Sequence, residues 1–280
     1  MKSIYHGFCQ QKLAMVLSVV FCCLILIYGS LLAQAVDTES GYTEDYRTGD
    51  CTFINEGENT YYILRPGYQL VFEGVEEDGT EILFVHTVLD ETREFYLPDV
   101  GWCTTRVIEE LEWADGKPLE FTRGFFSLCK ETGDLYDFGD EVDIYNEEGT
   151  AVASNAGTWH AGKPDKNGLA KPGIFMPGTF LLGAKYYQQL HEDMSMERGH
   201  NIEMGLTVET PAGTFKDCIR VRETNWSEPE GAESFKTHAP GIGLIGEDEL
   251  ELVAFGYNIF DRDKQEMVAQ YKGEIAPLKN

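Results

Sequence analysis

The segment Tyr136-Asp137-Phe138-Gly139-Asp140-Glu141-Val142-Asp143 gathers four carboxylates within eight residues. Hard cations such as calcium take about six to eight oxygen ligands. Asp137, Asp140 and Asp143 are therefore candidate metal ligands, with Asn146 and Glu148 close enough in sequence to join them. The spacing is not that of an EF-hand, and strand alternation sends Asp140 and Glu141 to opposite faces. A solvated acidic hairpin is the plainer reading, and nothing beyond calcium is indicated as a cofactor. Paired carboxylates also hydrolyse glycosides when correctly separated. His160, directly after Trp159, can act as a general base if an acid and a nucleophile or water lie within reach. A hydrolase built on Asp140, Asp143 and His160 is thus one expectation, and it requires the three side chains to converge.

The sequence lacks a G-x-S-x-G elbow, an H-E-x-x-H pair and a Walker phosphate loop. Gly241-Ile242-Gly243-Leu244-Ile245-Gly246 matches G-x-G-x-x-G in letters, but it runs into Glu247-Asp248-Glu249 and a strand-like stretch. A dinucleotide site needs a helix N-terminus there, so these glycines read as a turn. The six histidines, His6, His86, His160, His191, His200 and His238, show no ligand spacing. Cys51, Cys103, Cys129 and Cys218 form no C-x-x-C and no zinc pattern.

The elements that must position these groups read as strands. Tyr61 to Leu64, Tyr68 to Val75, Glu81 to Leu89, Trp102 to Trp113 and Leu119 to Cys129 are β-type runs. Arg65-Pro66-Gly67, Glu77-Asp78-Gly79 and Asp115-Gly116 punctuate them, and further turns follow at Thr132-Gly133-Asp134, Glu148-Gly149, Pro211-Ala212-Gly213 and Pro240-Gly241. Regular turn signals without a sustained helical period indicate an antiparallel all-β domain.

One hairpin can be registered. Odd positions from 103 to 113 read Cys, Thr, Val, Glu, Leu, Trp, and from 119 to 129 Leu, Phe, Arg, Phe, Ser, Cys. To share one core these faces must lie on the same side, so paired residue numbers sum to an even value. A two-residue Asp115-Gly116 loop gives an odd sum, so a three-residue bulged loop is expected. In one allowed register Glu109 faces Arg123 as a structural ion pair, and Cys103 faces Cys129 as a candidate disulfide. Cys218 reads as a buried free thiol.

Trp159 to Thr179 holds Gly162, Pro164, Gly168, Pro172, Gly173, Pro177 and Gly178, too many breakers for a strand. A loop of this length is functional or mobile in a compact domain. Trp159, His160, Phe175 and Met176 make it a candidate cover for a cavity, with ornament as the plain alternative. The abundant aromatics fill the core, or else line an apolar cavity in a barrel.

Several motifs follow in order: Leu64-Arg65-Pro66-Gly67, the Tyr136 to Asp143 segment, Gly157-Thr158-Trp159-His160-Ala161-Gly162, Lys171-Pro172-Gly173-Ile174-Phe175-Met176-Pro177, Thr210-Pro211-Ala212-Gly213-Thr214-Phe215 and Ala239-Pro240-Gly241-Ile242-Gly243. From Asn59 to Gly256 they resemble a family of uncharacterised exported bacterial β-rich proteins. The resemblance implies a bacterial exported β domain and supplies no catalytic residues. Cys103, Cys129 and the acidic leader depart from that pattern.

Lys2 and Lys12 are the only charges in the first 35 residues, Leu13 to Ala33 is nearly unbroken apolar sequence, and Ala33-Gln34-Ala35 is a small-x-small cleavage pattern. This reads as a signal peptide over 1–35, with an uncleaved anchor as the alternative. Export follows in either case, to the periplasm or the extracellular space. Residues 36–58 read as an acidic flexible leader, 59–258 as the β domain and 259–280 as a C-terminal extension. The whole chain carries a net charge of −26, which excludes nucleic acid as a partner and disfavours anionic membrane surfaces. Membrane contact is expected only through the N-terminal segment, if it is uncleaved.

The expected fold is an antiparallel, strongly curved sheet or half-open barrel, with a two-layer sandwich as alternative. The expected role is exported, non-catalytic binding or envelope maintenance, with a small apolar ligand under the 159–178 loop or an envelope protein as partner. A secreted hydrolase using the carboxylate/His cluster and a surface interaction module are the alternatives.

Overall fold

The computed structural model describes residues 41–43, 45–165, 168–191, 196–225, 233–263 and 265–267. The expected signal segment over 1–35 lies outside the described residues. Apart from one 3-10 turn at Thr48–Asp50, the described elements are strands. The principal ones are β1 (Phe53–Ile54), β2 (Tyr68–Val75), β3 (Glu81–Leu97), β4 (Gly101–Ala114), β5 (Lys117–Cys129), β6 (Leu135–Tyr145) and β7 (Lys171–Met176). They continue as β8 (Lys185–Tyr187), β9 (Gln189–Leu190), β10 (Glu197–Thr210), β11 (Gly213–Asn225), β12 (Ser234–Ala239), β13 (Gly243–Glu247) and β14 (Leu250–Tyr257).

In space the order is β8-β10-β11-β12-β13-β14-β2-β3-β4-β5-β6-β7-β9, with every pairing antiparallel. The first and last members of that order are separated in sequence only by Gln188. The sheet therefore curls into a nearly closed barrel with one unsealed seam, which the chain itself crosses. This is the curved, half-open barrel expected from the turn spacing.

Both faces of the sheet are covered in part. Leu70, Phe72, Val88, Ile108 and Phe126 belong to the inner cluster. On the outer face Phe95, Val107, Phe125, Phe138 and Trp159 form one cluster, and Val71, Val85, Leu111, Trp113 and Phe260 form another. Part of the segment read as a leader is built into the first of these. Phe53 packs edge-on against Tyr136 and Phe138, at ring-centroid distances of 5.3 and 5.1 Å.

The β4–β5 hairpin keeps the expected even register, with Glu109 opposite Arg123 and Glu112 opposite Glu120. The turn differs from the expected one. Asp115 and Gly116 have φ of 49° and 74°, which makes a two-residue loop of the primed type. The extra residue enters as a bulge between Glu112 and Trp113, which restores the common apolar face. Facing positions do not make the expected ion pair: Arg123 binds Glu91, and Glu109 binds Arg262 at 2.9 Å.

The cysteine pairing is corrected. Beyond Phe126, β1 takes the place of β4 beside β5, pairing Phe53 with Cys129 and Ile54 with Leu128. This brings Cys51 to Cys129, with Cα atoms 5.1 Å apart, and the two are disulfide-bonded. Cys103 and Cys218 are buried free thiols.

The stretch from Trp159 to Thr179 is also corrected. It contains a strand, β7, that pairs with β6, and Trp159–His160 pairs with Asp140 and Gly139 of the same strand. Its breakers are tolerated because β7 runs along the seam. Pro172 faces Gln189 of the two-residue β9, where a missing N–H costs little ladder. A Cβ on Gly173 would lie 2.2 Å from the Gln188 carbonyl oxygen, so only glycine lets the strap approach so closely.

Candidate functional site

The inner face of β3 and β4 is not uniformly apolar. Along β3, Ile82, Phe84, His86 and Val88 share a face with Ile108, Glu110 and Glu112 of β4, paired in the order His86–Glu110 and Phe84–Glu112. Ile82, Phe84, His86, Glu110 and Glu112 wall a cavity of about 320 Å³. Tyr62, Phe84, Phe175 and Leu244 supply its apolar surface, and β12 and β13 contribute Lys236, His238 and Glu247.

Within the cavity, His86 Nδ1 lies 3.0 Å from Glu110 Oε1, and Nε2 lies 3.3 Å from the Tyr62 hydroxyl. Burial is the largest influence and opposes the Glu110 charge, but the His86 hydrogen bond, the His86 charge and Lys236 together outweigh it and hold the carboxyl below its ordinary range. With Glu110 ionised, the carboxylate accepts and His86 Nδ1–H donates in that bond. Burial, with Glu110 next, raises the Tyr62 hydroxyl well above its usual value. Lys236 Nζ sits 2.8 Å from Glu223 and 3.3 Å from Glu247. Burial would discharge this amine, yet Glu223, Glu247 and Glu197 together raise its pKa instead. Burial, with Lys236 next, drops His238 to about 3, so its ring is neutral.

Glu112 has no such partner. Burial first, then Glu120, Glu247, Glu76 and Glu110, push it up to about 7. Burial raises Glu120 and Glu247 as well. Crowding like charges in a poorly solvated space favours the protonated forms.

A second polar group lies at the seam. Asp137 and Asp140 both accept from Gln189 Nε2, at 3.1 and 2.8 Å, and Asp140 also accepts from Trp159 Nε1 at 3.1 Å. Strict alternation would send residues 137 and 140 to opposite faces. A bulge at Gly139 (φ 132°) brings them together, and the Gly139 amide donates to Asp137 at 2.7 Å. Burial raises both carboxyls, Asp137 to about 7. Next to them Gln188 donates to Glu223 at 2.6 Å and to the Phe175 carbonyl at 3.3 Å.

Of the residues singled out in the sequence, the structure thus brings together Asp137, Asp140 and Trp159. Asp143 is exposed and accepts from Asn155 at 2.7 Å. His160 stands beside Phe95 and Phe125, 3.4 Å from Glu141. Asp140, Asp143 and His160 therefore do not converge. Among the described residues, no three His, Cys, Asp or Glu side chains are arranged to hold a metal ion. Trp159 is 2% exposed and seals the Asp140 side, so it covers no open cavity. Phe175 lines the 320 Å³ cavity, while Met176 is fully buried in the inner cluster.

Sequence reasoning missed His86, Glu110, Glu112, Lys236, His238 and Glu247. The available signal was Ile82-Leu83-Phe84-Val85, apolar on both faces, since a strand buried on both faces buries its neighbour's polar face too.

Comparisons with protein-family models, with curated proteins and with solved structures find no match for this chain. The chemistry of the site rests on its own geometry.

Proposed function

We propose that the chain is an exported, non-catalytic binding protein whose barrel holds a small molecule in its interior. The observation that carries this is the cavity of about 320 Å³, lined by both apolar and hydrogen-bonding side chains. Pockets of about 300–1,000 Å³ with a few convergent polar groups are the usual form of small-molecule sites. The Cys51–Cys129 bond supports an oxidising compartment. This reading moves the ligand from beneath the 159–178 loop to the barrel interior, where Phe175 is that segment's contribution.

The Tyr62–His86–Glu110 array favours a second reading, an acid–base hydrolase in the same cavity. Against it, burial and then Glu110 raise the Tyr62 hydroxyl well above its usual value, which opposes formation of a phenolate nucleophile.

Native mass spectrometry on protein from the exported fraction of its host tests the proposal. A non-covalent adduct lost on denaturation, and lost when Leu244→Trp fills the cavity, is the expected result. Turnover of chromogenic ester or glycoside probes that Glu110→Gln abolishes would replace binding with catalysis.

A further inference from the structure

Six carboxylates, Glu76, Glu110, Glu112, Glu247, Asp248 and Glu249, line the cavity. Lys236 is the one lysine or arginine among the described lining residues, and Glu223 and Glu247 already occupy it. An anion entering this space would meet no free positive charge. A bare metal ion is poorly suited, because the carboxylates are spread around the wall and no three side chains of ligand type converge.

A second observation is independent of the acidic count. His238 lines the cavity, is 2% exposed, and its Nδ1 has no hydrogen-bond partner. A buried imidazole nitrogen left unpaired is costly, and a ligand bearing N–H groups would satisfy it. The carboxylate of Glu110 remains reachable, since its side chain keeps 36% of its exposure. Phe84 stands beside Glu112 on the same sheet face, Tyr62 and Phe175 also line the cavity, and aromatic faces attract cations.

Resting on the binding reading above, we infer that the ligand is a small organic ammonium compound. Its charged nitrogen sits against Glu110 and Glu112, and its apolar body lies on Tyr62, Phe84 and Phe175.

The cation would replace the proton that Glu112 otherwise holds. The carboxylates acting on Glu112 are Glu120 on β5, Glu247 on β13, Glu76 after β2 and Glu110 on its own strand, while Lys236 of β12 and His86 of β3 in the same cavity are held on Glu247 and Glu110. Deprotonation of Glu112 through about 7 therefore strengthens cation binding as pH rises.

Calorimetry with three probes of one shape tests this: 2-phenylethylammonium, 2-phenylethanol and phenylacetate. The amine should bind at least about tenfold more tightly than the alcohol, with phenylacetate weaker still. Its affinity should rise about tenfold between about pH 5.5 and pH 8, while that of the alcohol stays flat. Glu112→Gln should reduce the amine's advantage and remove its pH dependence. Equal or tighter binding of the alcohol or of phenylacetate in the same cavity would overturn the ammonium assignment and leave the binding reading standing. If no probe binds and the protein from its host carries no adduct, the binding reading itself fails.

Discussion

Glu112 shows how one side chain sets a condition on stability. Its folded pKa of about 7 lies above the ordinary value of 4.5. Between those values the folded state holds a proton that the unfolded chain releases, so its contribution is lost as pH rises through that window. Glu112→Gln removes the cost. At pH 8 it should raise the melting temperature by several degrees, about 1–3 kcal/mol, and near pH 4 it should change little. Thermal melts at the two pH values check this, and an equal shift at both would refute the assignment. Gly139→Ala should do the opposite. The added Cβ would lie 2.3 Å from the Trp159 carbonyl oxygen, at a φ of 132°, so a loss of about 3 kcal/mol or more is expected. Chemical denaturation measures it.

At the scale of elements, the disulfide closes a sequence separation of 78 residues. Loss of such a link removes about 4 kcal/mol on chain-entropy grounds. Cys51→Ala should therefore lower the melting point markedly, while Cys103→Ala should not. A non-reducing peptide map should join the Cys51 and Cys129 peptides, and a Cys103–Cys129 peptide would contradict the structure. The strands themselves were legible. Tyr68–Val75 matches the expected run residue for residue, and the β4–β5 register follows from its shared apolar face. Three features stayed hidden, each for a physical reason. The irregularity at Gly139 breaks strand alternation and sets Asp137 and Asp140 on one amide, which no periodic pattern reveals. β1 enters beside Cys129 from a segment that shows no period of its own. Glu110 and Glu112 read as solvent-facing because only closure of the barrel decides which side of a polar face is inside.

For the whole molecule, the interior carboxyls act together. Burial raises Asp137, Glu112 and Glu197, to about 7, 7 and 8, and raises Asp140, Glu120 and Glu247 as well. Each contribution is lost as pH climbs from the ordinary carboxylate range through the raised value. His238, held at about 3, acts in the other sense: its contribution is present above about 6.5 and declines as pH falls towards 3. The carboxyls outnumber it. Melting temperature should therefore fall steadily from about pH 5 to pH 8.5 at low salt, and a scan that rises over this range would show that the barrel interior is hydrated and screened.

The strap at Gln188 has a further consequence. The two terminal members of the sheet are three and two residues long and lie on either side of that single residue. An open sheet exposes long rows of unpaired amides and carbonyls on which a second molecule can add. Here the same short stretch of chain ends the sheet on both sides, and Gln188 spends its side-chain amide on Glu223 and the Phe175 carbonyl. Among the described residues, the barrel thus leaves only edges of three and two residues for strand addition between molecules.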